Sequence, residues 1–351
     1  MNLNKKQLSS LKRLISEKIK EDVEISNIVK IGEGCHGSAF KVSLNNNQNI
    51  ILKYFNNYGR NLKEYENRIK EAFQFQRTSS LIPNHVRIFD IVHLNEEKFE
   101  KYEKNEPIIL MEEVIGDEYF SDLLNILKHG ASKKDFERVE IISNYLINLH
   151  SNVGENETYQ LYLKDLYSNG ILELTNELRN NFSDIEIFEI KKRFLELEEQ
   201  LSKEQKRCRK IHGEYFPGTI HFNIENNKKQ TYDMRRFGFG EVCDDFGSML
   251  INYFIFPIQI NGEIKKEFID IANKFYKSYT QKSSDNKIDN YLHYFMGYRL
   301  LILVNPNIVP MKEENRKKIK KILFKLLQFE KYKHNEFSSY ILKNFSNNAN
   351  S

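Results

Sequence analysis

Residues 211–250 have the sequence IHGEYFPGTIHFNIENNKKQTYDMRRFGFGEVCDDFGSML, and this stretch decides the fold. Its part between about 210 and 240 combines glycines, a proline and short β-forming runs. The segments on either side carry apolar residues at helical spacing instead. The sequence therefore predicts a strand-rich interruption within a helical region, and Glu214 and Asp233 are among the carboxylates in that interruption.

The rest of the chain outside this stretch divides into a part with helical periodicity and a part with strand periodicity. The larger part around it is predicted to form helices at residues 120–129, 133–150, 158–180, 184–206, 245–256, 263–280, 288–303 and 312–330. The first part of the chain is predicted to form strands at 27–31, 39–44, 50–55, 85–93 and 108–114. A helix at 61–77 separates these strands, and an amphipathic helix at 5–20 is expected to pack on the domain behind it rather than lie on a membrane.

The first chemical signal is a glycine-rich loop with the sequence IGEGCHGSAFKV. It contains Gly32, Gly34 and Gly37 in G-x-G-x-x-G spacing, a pattern that dinucleotide-binding folds share. In those folds the loop opens a helix, whereas here SAFKV continues as a strand. A strand–turn–strand with these glycines is typical of a kinase loop that covers nucleotide phosphates. An ordinary hairpin with three glycines is the alternative.

Lys53 follows one strand later, in Ile51-Leu52-Lys53. A lysine at the end of an apolar strand suits an ammonium group held against the phosphates of a nucleotide. Such a lysine requires a carboxylate that orients it, and the predicted helix 61–77 offers Glu64, Glu66 and Glu71. Glu66 is preferred because it lies beside the apolar stripe of that helix, and Glu71 remains open.

The stretch 211–250 resembles the aminoglycoside phosphotransferase and choline-kinase-like branch of the protein-kinase-like superfamily. That family carries a segment HGDxxPxN, followed by a strand that ends in Asp. His212-Gly213-Glu214 matches HGD with Glu in place of Asp, Pro217-Gly218 matches the Pro-Gly, and Thr219 stands where the family has Asn. Asp233 follows at the distance of the metal-binding Asp, and Asp245 at that of a later structural Asp.

Two further segments agree with this resemblance. Leu149-His150 is similar to the pair that ends a helix in these enzymes, and residues 109–114 resemble the strand and hinge that hold the adenine, including Glu112 and Val114. The resemblance spans about residues 25–330. It implies an α+β, bilobal protein-kinase-like fold, with a small β-rich N-lobe and a larger, mostly helical C-lobe. The expected divisions are an N-terminal helix at 1–24, a nucleotide-binding N-lobe at 25–115, a C-lobe at 116–340 with its catalytic segment at 210–245, and a polar tail at 341–351.

The resemblance also implies an activity, the transfer of the γ-phosphate of ATP or GTP to a hydroxyl group of a small molecule. Such a reaction needs positioning and charge neutralisation more than covalent help. Glu214 is the carboxylate expected beside the attacking hydroxyl, and Asp233 with Thr219 is expected to hold Mg²⁺. Because Glu214 and Thr219 depart from the family pattern, a nucleotide-binding pseudokinase with a regulatory or assembly role remains the alternative. The sequence does not identify the acceptor or the oligomeric state.

The composition excludes several other classes of protein. The 351 residues are 40% hydrophobic, which argues against a disordered chain. The formal net charge of +4 gives no strong nucleic-acid signal, and no stretch approaches 18 uncharged apolar residues, so no membrane span is expected. The three cysteines are far apart and form no CxxC motif, which indicates neither a disulfide framework nor a zinc site. A reducing, cytoplasmic location is therefore expected.

Overall fold

The computed structural model describes residues 3–34, 37–55, 73, 76, 85–95, 98–101, 108–223, 226–232 and 238–346. The chain forms two compact units, which consist of residues 1–115 with 230–235 and of residues 116–229 with 236–351. The predicted helix 61–77 lies outside the described residues, apart from Phe73 and Gln76, which are helical.

The first unit is built on a six-stranded sheet in the order β1-β2-β3-β6-β4-β5. Its neighbouring strands are all antiparallel. The strands are β1 Ile25–Gly34, β2 Gly37–Leu44, β3 Asn49–Phe55, β4 Ile88–Leu94, β5 Phe99–Lys101 and β6 Ile108–Glu112. The strands that the sequence predicted in this part of the chain are therefore confirmed.

One face of this sheet forms the core of the first unit together with helix α1 (Lys5–Ile19). Alternate strand residues point to one face of a sheet, and here they are the buried apolar ones. Leu11 and Ile15 of α1 are fully buried against this face. Buried strand residues on it are Phe40, Val42, Leu44, Ile50, Leu52, Ile108 and Leu110. The expected packing of the N-terminal helix on the domain behind it is confirmed.

The second unit is mostly helical. Its helices are α2 Tyr119–His129, α3 Lys133–His150, α4 Asn156–Asp165, α5 Glu173–Glu177, α6 Asp184–Ser202, α7 Val242–Asn261, α8 Lys266–Thr280, α9 Ile288–Val304, α10 Glu313–Leu327 and α11 His334–Phe345. Short strands occur at β7 Asp117–Glu118, β8 Arg209–Lys210, β9 Ile220–Phe222, β10 Lys229–Thr231 and β11 Phe239–Gly240. β10 runs across the division between the two units. The predicted strand-rich interruption of the helical region is confirmed.

Helix α7 is the centre of the second unit. It is buried without a break from Val242 to Ile258 and packs against α8, α9 and α10. At Gly247 it approaches α9 so closely that a Cβ atom would lie 3.2 Å from the backbone nitrogen of Met296. Although α7 is strongly apolar, no helix in the described part of the chain is long and apolar enough to cross a membrane.

Several predicted elements of the second unit differ from the structure in their bounds, among them the helix predicted at 245–256, which is observed as Val242–Asn261. The predicted helix 158–180 is interrupted by a π-helical segment, Leu166–Leu172, and ends in a 3₁₀ turn, Leu178–Asn180. The predicted polar tail at 341–351 begins too early, because α11 continues to Phe345. The side chains of Phe337, Ile341 and Phe345 recur every fourth residue and are buried, so the apolar face of α11 extends into the predicted tail.

Two buried histidines predict acid-sensitive stability. Burial lowers the pKa of His293 in α9 to about 3 and that of His334 in α11 to about 4, from an ordinary value near 6.5. Between the lowered pKa of the folded chain and the ordinary value of 6.5, the unfolded chain binds more protons than the folded chain. The free energy of unfolding is therefore highest above pH 6.5 and decreases as the pH falls. Each histidine contributes about 1.4 kcal/mol per pH unit.

We therefore expect the free energy of unfolding to decrease between pH 6.5 and 4. Urea denaturation across this range measures the slope, and His293→Leu should reduce it because one proton is no longer taken up. The exposed His129 in α2 provides the control, and His129→Gln should leave the slope unchanged. An equal slope in the His293→Leu variant would contradict this account of the buried ring.

Candidate active site

A buried carboxylate fixes the first residues of the predicted catalytic segment. Asp245 in α7 is fully buried, and its carboxylate accepts hydrogen bonds from the backbone N–H groups of His212 (2.7 Å) and Gly213 (2.8 Å). Its Oδ2 atom also lies 3.1 Å from Nε2 of His150, the last residue of α3. Gly213 has a φ of 77°, which explains why a glycine precedes Glu214. The backbone leading to Glu214 is therefore anchored to α7, and His150 connects this anchor to α3.

The side chains of this loop alternate between the interior and the surface. His212 and Tyr215 are fully buried, whereas Glu214 and Phe216 are only partly buried. The Tyr215 ring stacks on that of Tyr145 with centroids 5.5 Å apart, and it meets the His212 ring edge-on at 5.5 Å. The aromatic residues thus hold the loop from beneath, and this leaves Glu214 on its outer side.

A buried lysine completes the support beneath the loop. The Nζ atom of Lys229 lies 3.0 Å from the ring centre of Tyr145 and 5.7 Å from that of Tyr215. It has no hydrogen-bond partner among the described residues, and burial holds its pKa well below the usual range. The contacts of this amine are therefore with aromatic faces rather than with a carboxylate.

The Glu214 carboxylate lies against an arginine from α9. Nη1 of Arg299 is 3.3 Å from Oε1 of Glu214, and the two side chains are 9% and 12% exposed. The guanidinium carbon of Arg299 also lies 4.0 Å from the ring centre of Phe216. Arg299 therefore contacts two residues of the loop. Arg299 could not be recognised from the sequence, because it lies in a helix 85 residues further along the chain and belongs to no local motif.

Thr219, the second predicted metal ligand, bonds within its own loop. Its hydroxyl lies 2.9 Å from the carbonyl oxygen of Glu214 and 3.0 Å from that of Phe216, and it can donate to one of them at a time. The same oxygen accepts a hydrogen bond from the backbone N–H of Phe216 at 3.3 Å. Thr219 is 2% exposed, so its hydroxyl stabilises the turn that follows Glu214.

The residues alone favour Asp245 as a helix cap, because an Asp before an apolar run is typical of a helix start. This interpretation is wrong, since the N-terminal cap of α7 is Glu241 and Asp245 lies within the helix. The Asp245 carboxylate bonds to the loop backbone instead. The position that the resemblance gave it, that of a structural Asp, agrees with these bonds. The predicted structural role of His212 also agrees with its buried ring and its bonded N–H.

The three predicted glycines lie in the first unit, where β1 pairs with β2. Gly32 is opposite Ala39 and Gly34 is opposite Gly37, so the loop joins two antiparallel strands. The strand–turn–strand context predicted from the sequence is therefore present. Among the residues that the structure describes, none has a heavy atom within 4 Å of the place where a Cβ of Gly32 would stand.

Lys53 lies on the sheet face opposite to α1. It pairs with Ala39 of β2 and with Ile109 of β6, and directly paired residues point to the same face. Val29 belongs to the same face through its pairing with Lys41, and it is 47% exposed. Ile31, in the irregular part of β1, is also exposed. An ammonium group and exposed apolar side chains therefore occur beside the glycine loop. The sequence alone did not indicate that Val29 and Ile31 belong to this surface.

The predicted hinge residues follow at the end of β6. Glu112 is opposite Ile50, its N–H donates to the Arg87 carbonyl (2.8 Å), and its carboxylate accepts from the Arg87 N–H at 3.3 Å. Val114 lies in the irregular segment after the strand, and the next residue, Ile115, donates its N–H to Oε1 of Gln230. Glu112 therefore ties β6 to the start of β4, and Val114 lies outside the regular strand.

Four residues named from the sequence lie outside the described residues, namely Glu64, Glu66, Glu71 and Asp233. The pairing of Lys53 with a glutamate and the metal-binding role of Asp233 therefore stay predictions. Within the described ranges, no three His, Cys, Asp or Glu side chains lie close enough together to hold a metal ion.

Comparison with solved structures identifies the fold. A provisionally named fructosamine-3-kinase from Haemophilus somnus 129PT has a TM-score of 0.59 and 12% identity, over 92% of this chain and 98% of that one. An amicoumacin kinase in complex with AMP-PNP, Ca²⁺ and its substrate has a TM-score of 0.56 and 11% identity, over 88% and 91%. An aminoglycoside phosphotransferase from Streptomyces rimosus, in complex with ADP and streptomycin, has a TM-score of 0.52 and 13% identity, over 84% and 98%.

No protein-family model matches the sequence, and no curated protein matches it. The chain has the protein-kinase-like fold of these small-molecule kinases, and the resemblance stated from residues 211–250 is confirmed. More particularly, its fold is similar to those of the fructosamine-3-kinase, amicoumacin kinase and aminoglycoside phosphotransferase structures.

Proposed function

We propose that this chain transfers the γ-phosphate of ATP or GTP to a hydroxyl group of a small molecule. The observation that carries the proposal is the anchored loop in the second unit. There the buried Asp245 binds the N–H groups of His212 and Gly213, while Glu214 stands partly exposed. This is the arrangement needed to hold a carboxylate beside an attacking hydroxyl. The proposal includes a cytoplasmic location, as the sequence predicted.

Each residue has a distinct part in this proposal. Glu214 accepts a hydrogen bond from the acceptor hydroxyl and takes its proton as the oxygen attacks the phosphate. Lys53 and the backbone of the loop at Gly32, Gly34 and Gly37 hold the nucleotide phosphates, and the segment at Glu112 and Val114 holds the base. Exposed Val29 and Ile31, on or beside the face of Lys53, suit an apolar contact with the base.

Magnesium enters the proposal through Asp233 and Thr219. A bound divalent cation supplies neutralisation of phosphate charge. The Thr219 hydroxyl is 2% exposed and already uses its proton and one lone pair in bonds to the loop backbone, so only its second lone pair remains for a metal or a bridging water. We therefore assign Asp233 as the principal ligand, and Thr219 as a residue that holds the loop and reaches the metal through water.

The proposal does not fix the acceptor, and it leaves the choice between ATP and GTP open. The neighbouring structures include complexes with AMP-PNP and amicoumacin and with ADP and streptomycin. The acceptor therefore has to be found by a screen of hydroxyl compounds rather than by analogy with one neighbour.

Two measurements in sequence test the proposal. Thermal denaturation with Mg²⁺–ATP and with Mg²⁺–GTP should show an increase in Tm for at least one nucleotide, because a ligand at 100 times its Kd stabilises the folded state by about 2.7 kcal/mol. A screen of hydroxyl acceptors with γ-labelled nucleotide should then give a phosphorylated product. No change in Tm with either nucleotide would reject both this proposal and its alternative.

The alternative is a nucleotide-binding pseudokinase with a regulatory or assembly role. The contacts of Glu214 and Thr219, the two residues that depart from the family pattern, support this alternative. The Glu214 carboxylate is paired with Arg299 and only 12% exposed, and the Thr219 hydroxyl bonds to its own loop. Nucleotide binding without phosphate transfer to any acceptor would favour this alternative.

Lys53 provides a direct test of the nucleotide site. We expect Lys53→Ala to weaken nucleotide binding by about 10- to 100-fold, which is the effect of losing a hydrogen bond to a charged group. Lys30→Ala is the matched control, because Lys30 is an exposed lysine that pairs with Phe40 and so belongs to the opposite face. Titration calorimetry measures both. Equal affinities for the two variants would remove Lys53 from the site.

A further inference from the structure

Arg299 has a position that the proposed reaction does not yet use. It lies in α9, and its side chain is 9% exposed. It contacts the Glu214 carboxylate at 3.3 Å through Nη1, and its guanidinium carbon lies 4.0 Å from the ring centre of Phe216. These two loop residues are both partly exposed and are separated by the buried Tyr215. The guanidinium group of Arg299, from a helix that is distant in sequence, therefore contacts the outer side of the loop at two residues.

The loop is consequently held from two directions. Asp245 of α7 fixes its backbone at His212 and Gly213, and Arg299 of α9 contacts the carboxylate that follows. The two helices pack closely at Gly247, where a Cβ atom would lie 3.2 Å from the neighbouring backbone. Because both anchors stand on packed helices, they maintain a fixed geometry between the loop backbone and the carboxylate.

The chemistry of the contact requires an arginine. A guanidinium group is planar and permanently charged, so it can lie over an aromatic ring and bind a carboxylate at its edge at the same time. A lysine offers a point charge on a flexible stem and cannot fill both roles in this way. The low exposure of both charged groups also reduces screening of their attraction by water and salt.

We propose that Arg299 is the positioning residue for Glu214, an inference that rests on the proposed phosphotransferase function. A glutamate has one more methylene group than the family's aspartate, and its carboxylate therefore has more freedom. Arg299 removes this freedom by holding the carboxylate, while the ring of Phe216 holds the guanidinium. We therefore interpret the glutamate at position 214, in place of the family's aspartate, and the arginine at position 299 as features that act together.

The experiment compares Arg299→Met and Arg299→Lys with the control Arg316→Met. Arg316 is an arginine of α10 with similar burial, and it donates to the carbonyl oxygen of Val304. With the acceptor found by the screen, we expect Arg299→Met to lower kcat by roughly 10- to 100-fold, because misplacement of a catalytic group has effects of this size. The KM for the nucleotide should change little, and Arg299→Lys should retain more activity than Arg299→Met. Arg316→Met should change kcat less than twofold.

A cycle with Glu214→Gln separates positioning from a general structural effect. In the Glu214→Gln background, Arg299→Met should cause little further loss of kcat, whereas a purely structural role would lower activity equally in both backgrounds. Urea denaturation of the same four proteins measures the contact without requiring activity. The double variant should be more stable than the sum of the single effects predicts, because each single change removes the contact between Glu214 and Arg299 and the second change then has less left to lose.

The outcomes distinguish the inference from the function on which it rests. Phosphate transfer with a normal kcat in Arg299→Met would overturn the role of Arg299 and leave the proposed function standing. Energetic coupling without phosphate transfer to any acceptor would overturn the positioning role together with the proposed function. A selective loss of kcat that disappears in the Glu214→Gln background supports the inference.

Discussion

Replacement of Glu214 by glutamine is expected to lower turnover by roughly 10²–10⁴-fold, the usual contribution of a positioned acid or base. Glutamine keeps the shape of the side chain and can still accept a hydrogen bond from Arg299, but it cannot take a proton. The affinity for nucleotide should change little, because the loss concerns the acceptor hydroxyl. Initial rates of phosphate transfer and the nucleotide-induced increase in Tm measure the two quantities separately.

The matched control for this substitution is Glu199→Gln. Glu199 is an exposed residue of α6 that pairs with Lys203, so its change to glutamine removes a charge without touching the loop. Its turnover should equal that of the wild type. A Glu214→Gln variant that also retained full turnover would show that Glu214 is not the catalytic carboxylate.

The two departures from the family pattern allow a sharper decision between an enzyme and a pseudokinase. If the loop is adapted to glutamate, Glu214→Asp should lose activity, because the shorter side chain no longer reaches Arg299 and the acceptor together. If the chain is a decayed kinase, the double change Glu214→Asp and Thr219→Asn should raise slow nucleotide hydrolysis from a value near zero. The sign of the change in activity therefore distinguishes the two hypotheses.

Much of the fold could be predicted because the local patterns are strong. The strands around the glycine loop have period two, and the helix predicted at 133–150 is observed as Lys133–His150. The interruption of the helix predicted at 158–180 carries no such signal. It occurs where Gly170 packs so closely that a Cβ would lie 3.0 Å from the hydroxyl of Tyr298, a tertiary contact that periodicity does not contain.

Helix α11 is a different kind of omission, because its signal was present. Phe337, Ile341 and Phe345 recur at helical spacing in the sequence, but the polar residues that follow suggested a tail. A continuation of the periodicity analysis beyond residue 330 would have predicted this helix.

The residues of the candidate site also fall into those that sequence motifs indicate and those that only tertiary packing brings together. Motif spacing makes Glu214 and Lys53 candidates, because each lies in a motif whose residues are close in sequence, and their roles stay predictions. It was not sufficient for Arg299, which approaches Glu214 only through the packing of α9. For Asp245, the residues alone suggested a cap, since Asp before an apolar run is typical of helix starts. Only the structure shows that its carboxylate binds the backbone of the loop.

The second large effect is expected at Asp245. Asp245→Ala should lower the free energy of unfolding by about 2–6 kcal/mol, since a buried N–H left without an acceptor costs about 1–3 kcal/mol and two such groups lose their partner. These are the N–H groups of His212 and Gly213, which donate hydrogen bonds of 2.7 and 2.8 Å to the Asp245 carboxylate. His150 would lose its carboxylate neighbour as well. Urea denaturation followed by tyrosine fluorescence is suitable, because the chain has 19 Tyr and no Trp.

The control for stability is Ser248→Ala, one turn further along α7. Ser248 is also buried, but it lies outside the set of bonds to the loop. Its replacement should change the free energy of unfolding by less than about 1 kcal/mol. A comparable loss in both variants would mean that α7 tolerates no change at all, and it would remove the special role of Asp245.

Hydrogen exchange of the loop tests the mechanism behind this effect. If Asp245 anchors the loop, peptides covering residues 211–219 should exchange faster in Asp245→Ala than in the wild type, whereas peptides from α10 should not. Turnover should fall together with this protection, because Glu214 stands on the released backbone and its carboxylate would lose its fixed distance to Arg299. Loop amides that stay protected in Asp245→Ala would contradict the anchoring role, since the N–H groups of His212 and Gly213 would then have found other acceptors. In that case the positioning of Glu214 would depend on Arg299 and on the aromatic support from Tyr145 and Tyr215 alone.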